Sequence, residues 1–298
     1  MTEESQPAGK LGPDDRVLAL LSPSSLEHLP LLKKRLPEVY PRVDIISPKD
    51  LDDLARIVRT TQKRYRLVLV VGGDGTLNQV LNHLDVDNQV LGILPAGTGN
   101  DFARVLGFPR RLTDRIDYLA QLAPRPLDFC TVNKRRFINS GGFGIDSRTL
   151  LTRQQSKGFI ARNYNAAFLV SLFRLNSYAV QVDCDGERLD GEYFWVLAMN
   201  APYIGGGTMI APKAEINDGR LDLLLVKRTS KWNLARFLPA TIKGRHLDLP
   251  LAVYRQAREV RVMLAEPLSY LALDGELALC GERELTFRAD GARLKFLR

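Results

Sequence analysis

Two glycine-rich runs carry residue types that handle phosphate. The first is Val70-Val71-Gly72-Gly73-Asp74-Gly75-Thr76-Leu77-Asn78; the second is Leu91-Gly92-Ile93-Leu94-Pro95-Ala96-Gly97-Thr98-Gly99-Asn100-Asp101-Phe102. Each follows an apolar run that reads as a buried strand, and each leads into a helix. At the carboxyl end of a parallel strand, glycines let the backbone approach a phosphate, and the N–H groups opening the next helix favour its charge. Two such turns on parallel strands can form two walls of one phosphate site. Neither is a Walker A loop, because no Gly-Lys-Ser/Thr follows. There is also no Gly-x-Gly-x-x-Gly with a later acidic residue, which argues against an ordinary dinucleotide dehydrogenase. Asp74 is electrostatically odd in an anion-binding turn. It makes sense there if Mg²⁺ stands between its carboxylate and the phosphates.

The elements that must position these turns alternate through the first half. Arg16–Leu21, Val43–Ile46, Leu67–Val71 and Val90–Leu94 read as strands. Leu26–Leu36, Leu51–Gln62 (opened by Asp50), Thr76–Leu84 and a segment from Asp101 read as helices. Such alternation predicts a parallel, doubly wound α/β sheet. From Phe129 onward, short β-type stretches are punctuated by Asn133-Lys134, Asp185-Gly186, Asp218-Gly219, Asp274-Gly275 and Asp290-Gly291. They predict an antiparallel sandwich or barrel interrupted by two helices. The boundary falls near Leu127–Asp128, giving domains 1–128 and 129–298, and residues to about Pro13 read as a loose tail.

Composition narrows the class. The 298 residues are 45% hydrophobic, enough for a sizeable core, and carry a net charge of +8. The polar, acidic start is unlike a signal peptide, and no apolar run approaches the ~18–20 residues of a membrane span. Cys130, Cys184 and Cys280 form neither a disulfide framework nor a zinc site, which fits a reducing cytoplasm. The charge is uneven. Residues 1–128 hold 17 basic and 17 acidic side chains, whereas 129–298 hold 25 and 17. Two acid-free stretches, Ser147–Val182 and Leu223–Leu247, supply 5 and 6 of those positive charges beside large apolar groups such as Phe159, Phe168, Trp232 and Phe237. That pattern suits helices at an anionic membrane surface, and equally helices packed on their own domain.

The paired motifs, together with Asn139-Ser140-Gly141-Gly142-Phe143-Gly144, Asn200, Gly205-Gly206-Gly207, Pro212–Asp222 and Leu273-Asp274-Gly275-Glu276, resemble the diacylglycerol kinase catalytic-domain family, closest to the bacterial YegS-like and diacylglycerol kinase-like lipid kinases. The resemblance runs from about Leu67 to Glu276 in the family's order. It implies an α/β nucleotide-binding domain and a β-rich lipid-substrate domain with a cleft between them. It further implies ATP bound by Gly73, Asp74, Gly75, Thr76, Leu77, Asn78 and Gln79, with Thr98 from the second turn and Ser47 after the second strand. Glu276 matches the general base, with Asp74 a second candidate or a magnesium-linked partner of the phosphates. Asp218, with backbone carbonyls of Glu215 and Arg220, matches a second Mg²⁺ site. Without the resemblance, Asp274-Gly275-Glu276 and Asn217-Asp218-Gly219 read as ordinary turns, and Ser47 as a helix-opening residue before Pro48. One departure stands out: the loop after the first strand is Ser22-Pro23-Ser24-Ser25, where the family has Asn-Pro-x-(Ser/Ala)-Gly.

The expectation is a cytoplasmic, peripherally membrane-associated lipid kinase using ATP and Mg²⁺. It would transfer the γ-phosphate to a lipid hydroxyl such as that of diacylglycerol or a phosphatidylglycerol-like acceptor. No nucleic acid and no obligatory protein partner are expected. The alternatives are an NAD kinase-like phosphotransferase on a soluble acceptor, and a non-catalytic lipid or nucleotide sensor, which the altered first loop favours.

Overall fold

The computed structural model describes residues 10–97, 99–173, 175–242 and 244–298. The chain divides into two compact units: one runs to Asp128 and takes in Ala292–Arg298, and the other is Phe129–Gly291.

The first unit alternates strand and helix. In order it contains Val17–Leu21 (β1), Leu29–Val39 (α1), Val43–Ile46 (β2), Leu51–Thr61 (α2), Leu67–Gly72 (β3), Asp74–His83 (α3), Val90–Pro95 (β4), Asp101–Val105 (α4) and Leu112–Leu119 (α5). Strands β2, β1, β3 and β4 pair in parallel in that order. The apolar run Leu67–Val71 is buried on both faces, as a central parallel strand requires. Two boundaries differ from the sequence reading. The first helix is preceded by a short 3-10 turn over Pro23–His28, because Pro23 fixes the backbone as the chain leaves β1. Helix α3 begins at Asp74, two residues early, so the glycine turn is shorter than its sequence suggests.

Residues 292–298, assigned by sequence to the second half, complete the first unit's sheet. Lys295 and Phe296 pair in parallel with Val90 and Leu91, and Leu294, Phe296 and Leu297 are buried. Phe296 stands edge-on to Phe102, with ring centroids 5.4 Å apart. The cause is packing: Gly92 leaves room for Leu297, whose side chain lies 3.3 Å from where a Cβ would sit.

The second unit is mainly antiparallel. Its strands begin with Pro124–Val132 (β5), which enters from the first unit, then Arg135–Phe137 (β6) and Ser140–Gly144 (β7). Helices Ile145–Gln155 (α6), Gly158–Arg162 (α7) and Tyr164–Phe173 (α8) follow, then Tyr178–Cys184 (β8), Glu187–Arg188 (β9), Gly191–Met199 (β10), Tyr203–Ile204 (β11), Thr208–Met209 (β12) and Leu221–Lys227 (β13). Lys231–Ile242 (α9), Ala252–Ala257 (β14), Glu259–Leu273 (β15) and Glu276–Leu297 (β16) complete it. Strands pair in the order β14-β13-β10-β7-β15-β16, and β8 bridges β10 and β15. The expected turn at Asp290-Gly291 is absent: β16 runs through it and carries the chain back to the first unit.

Helices α8 and α9 cover one sheet face. Phe168, Leu172, Leu234 and Phe237 pack with Trp195, Leu197 and Leu224. Much of the apolar content of the two basic stretches is therefore core, whereas Phe159, Leu169 and Trp232 remain exposed. No described helix is long and apolar enough to cross a membrane.

Candidate active site

In the first unit, the two glycine turns stand back to back. A Cβ on Gly97 would lie 2.6 Å from Gly73 Cα and 2.9 Å from Gly73 N, so no side chain fits between them. The Ala96 N–H donates to the Gly72 carbonyl at 2.9 Å, extending the β3–β4 pairing into the turns. Asn100, held at φ 51°, closes the second loop. Its Nδ2 donates to the Gly97 carbonyl at 2.6 Å and its Oδ1 accepts from the Gly97 N–H at 3.2 Å.

Asp74 joins the two turns. Its carboxylate accepts from the N–H of Asp101 at 2.8 Å and of Phe102 at 3.2 Å, so it serves the opening of α4 across 27 residues of sequence. This supplies a structural reason for a carboxylate in the glycine turn that the sequence did not reveal. The carboxylates of Asp74 and Asp101 both lie against Gly99, with Oδ2 atoms 3.7 and 3.9 Å from where its Cβ would be.

The other nucleotide-binding candidates separate into two groups. Gly73, Gly75, Thr76 and Gln79 are part-exposed on or near the turn, whereas Leu77 and Asn78 are buried. Leu77 donates its N–H to the Gly73 carbonyl at 3.1 Å, so it contributes packing and helix geometry. Thr98 lies outside the described residues. Ser47 is half-buried after β2, and its hydroxyl makes no hydrogen bond to a described residue. It does not open α2: Asp50 does, accepting from the Asp53 N–H at 2.8 Å. The divergent loop after β1 also reaches the glycine turn. Ser22 Cβ lies 3.1 Å from where a Gly72 Cβ would be, and the Ser22 hydroxyl bonds those of Ser24 at 3.0 Å and Ser25 at 2.8 Å.

In the second unit, Glu276 opens β16 directly after a two-residue turn. Asp274 and Gly275 have φ 48° and 83°, the pair of positive angles that matches the twist of a tight hairpin. Sequence reasoning missed what holds this turn. The Asp274 side chain is buried, and its carboxylate accepts from the N–H groups of Ile138 at 2.9 Å, Asn139 at 2.8 Å and Ser140 at 2.9 Å. Asn200 reinforces the same segment by donating to the Ile138 carbonyl at 2.8 Å. The Gly141–Gly144 run is explained by strand packing, since a Cβ on Gly142 would meet the Val196 carbonyl oxygen at 2.2 Å. Glu276 itself is exposed to solvent, yet surrounding protein raises its carboxyl above the ordinary range, with Arg153 on α6 opposing the rise.

Glu215, Asp218 and Arg220 lie exposed on the turn before β13. Asp218 Oδ1 accepts from the Arg220 N–H at 2.9 Å, and Gly219 takes φ 71°. Among the described residues there is no group of three or more His, Cys, Asp or Glu side chains arranged to hold a metal. Asp222 nearby is fully buried. Its Oδ1 accepts from the Tyr254 hydroxyl and from Gln256 Nε2 at 3.1 Å. Burial first, and then the charges of Asp218 and Glu215, push the Asp222 carboxyl up to about 6.

Residues 23–132 match the diacylglycerol kinase catalytic domain model, and residues 140–295 match the YegS C-terminal NAD kinase beta sandwich-like domain model. A diacylglycerol kinase of Bacillus subtilis (strain 168) is 32% identical over 219 residues, 72% of each chain. One of Staphylococcus carnosus (strain TM300) is 27% identical over 273 residues, 88% of each chain. Among solved structures, a diacylglycerol kinase from Bacillus anthracis str. Sterne superposes with TM-score 0.78 at 22% identity, over 95% of this chain and 96% of that one. An NAD kinase from Archaeoglobus fulgidus in complex with ATP gives TM-score 0.52 at 11% identity, over 95% and 93%. Both neighbours share the two-domain fold.

Proposed function

The chain belongs to the diacylglycerol kinase family, and from that premise we propose that it is an ATP- and Mg²⁺-dependent lipid kinase that phosphorylates the hydroxyl of a diacylglycerol- or phosphatidylglycerol-like acceptor. The observation that carries the reading is the contact between Gly73 and Gly97, where backbone meets backbone with no room for a side chain. Such a surface lets a polyphosphate lie directly on peptide groups at the amino end of α3.

Gly73, Gly75 and Thr76 hold the nucleotide phosphates, Gln79 and Ser47 flank them, and Thr98 is the expected contact from the second loop. Hard oxygen donors suit magnesium, and the Asp74 and Asp101 carboxylates facing Gly99 are the groups that would hold it. When bound, the ion neutralises charge on the phosphate oxygens. Asp74 also keeps α4 in place, so its role is partly positional. Glu276 accepts the proton of the acceptor hydroxyl as transfer proceeds, and burial, which raises its carboxyl above the ordinary range, favours its taking up that proton. Asp218 with the carbonyls of Glu215 and Arg220 would hold a second, structural ion. Exposed Phe159 and Trp232, 71% and 82% accessible on the basic helices, support docking on an anionic membrane.

The test is transfer from labelled ATP to a panel of lipids and to NAD, with Glu276→Gln as the variant. Loss of lipid phosphorylation with ATP affinity intact is expected. Full turnover by Glu276→Gln removes it as the base, labelling of NAD alone selects the soluble-acceptor reading, and ATP binding without transfer selects the sensor. Retention on phosphatidylglycerol vesicles should fall in the double variant Phe159→Ser, Trp232→Ser. Unchanged retention refutes the docking surface.

A further inference from the structure

Within the second unit, a cavity of about 400 Å³ opens between α6, the start of β8 and the bulged middle of β15. That volume is typical of a small-molecule site. Its lining holds one cation, Arg148, and one carboxylate, Glu266. Arg148 Nε is buried there without a hydrogen-bond partner among the described residues. No described carboxylate pairs with this guanidinium. Glu266, at the rim, pairs instead with Arg283 at 3.6 Å, and the neighbouring Asp146 accepts from the Ser147 N–H at 2.7 Å.

The side chains of Asn176, Tyr178, Ser269 and Tyr270 also line the cavity, and none hydrogen-bonds a described residue. Arg148 is thus the one cation among five donor-bearing residues at the cavity, of which Asn176 and Ser269 are exposed and Tyr178, Tyr270 and Arg148 half-buried. Arg148 is part-exposed with its Nε buried and unpaired, and a planar set of N–H donors matches phosphate oxygens better than any neutral group. An apolar part of the wall is formed by Leu151 on α6 and by Leu264, Pro267 and Leu268 on β15.

We propose that this cavity is an accessory site for a phosphate-bearing amphiphile, with the phosphate on Arg148 and the apolar body against Leu151, Leu264 and Leu268. Arg153, whose charge acts on Glu276, is five residues beyond Arg148, about 140° around the α6 axis, so the two arginines stand on different faces of the helix. The occupant is a phosphate monoester that is either a lipid headgroup or a soluble ester.

The test is fluorine NMR of full-length protein carrying 3-fluorotyrosine, with the Tyr178 and Tyr270 signals assigned by Tyr→Phe variants. No ATP is added, so failure here is separate from failure of the kinase reading. Dihexanoyl phosphatidic acid, below its micelle concentration, should shift both signals saturably. Arg148→Gln should weaken that binding about tenfold or more. Ser269→Trp, at an exposed wall position, should fill the cavity and abolish the shifts while circular dichroism stays unchanged. Weaker binding of glycerol 3-phosphate identifies the lipid as the source; equal binding identifies a soluble ester, and either supports the phosphate site. The proposal is overturned if neutral dihexanoylglycerol shifts the same signals equally, if Arg148→Gln binds like the unaltered protein, or if neither tyrosine responds.

Discussion

Replacing Gly97 by alanine puts the candidate phosphate site to a quantitative test. Gly97 is not among the described glycines with a positive φ, and the space around Gly97 differs sharply from that around Gly99. At Gly97 the new methyl would sit 2.6 Å from Gly73 Cα, against about 3.5–4.0 Å for an ordinary carbon contact. One loop must therefore retreat by roughly 1 Å. Overfilling a packed site in this way costs about 1–3 kcal/mol, or about 5- to 150-fold in an equilibrium constant. The groups displaced are the peptide units proposed to hold the phosphates, so the loss falls on ATP affinity. At Gly99 the nearest atom is Asp74 Oδ2 at 3.7 Å, an ordinary contact. Titration with ATP by calorimetry, beside thermal unfolding, should show Gly97→Ala impaired at least fivefold and Gly99→Ala within about twofold of the parent. Equal affinity in Gly97→Ala and the parent, or equal losses at both positions, would falsify the two-wall description.

Three further outcomes follow from the second unit. Asp274→Asn tolerates the positive φ but turns an amide toward a backbone N–H, so urea unfolding should show a loss of about 2–4 kcal/mol, and kcat should fall because Glu276 is two residues away. Arg153→Gln removes the charge that opposes the rise at Glu276, so the acidic limb of the kcat/KM profile should move to higher pH; a limb that stays or moves down contradicts the pairing. Asp222 is raised in the folded state, so its burial costs nothing while both states are protonated, and stability is lost as pH rises from about 4 through about 6. Asp222→Asn should then be more stable than the parent at pH 7.5 by up to ~3 kcal/mol, with the gain vanishing near pH 4 in denaturant titrations.

The parts of the site that sequence displays are local. A glycine run after an apolar strand announces a tight turn within nine residues, and Asp274-Gly275 announces a hairpin within two. What sequence hides is the partner across the chain. Asp74 was legible as a carboxylate among glycines, but its bonds reach Asp101 and Phe102. Asp274 was legible as a turn residue, but its three acceptor bonds reach back more than 130 residues to the strand entry at Ile138–Ser140. Leu77 and Asn78 closely follow the glycines, and the structure buries both, which adjacency in sequence does not display. The basic stretches are ambiguous for the same reason: apolar groups at helical spacing look alike whether they face a sheet or a membrane; Phe168 and Phe237 face the sheet, and Phe159 and Trp232 are exposed. The fold class emerged well because strand–helix alternation is a property of neighbours.

The return of residues 292–298 to the first unit bears on the order in which the molecule can be made. A ribosome delivers β1 through β4 early, but the strand beside β4 leaves the tunnel only after all of Phe129–Gly291. Until then, the surfaces of Gly92 and Phe102 that receive Leu297 and Phe296 stand uncovered. The first unit is thus the first to be synthesised and the last to be sealed. A fragment ending at Asp128 would be a half-closed object prone to self-association, and a nascent chain is exposed to the same hazard for most of its translation.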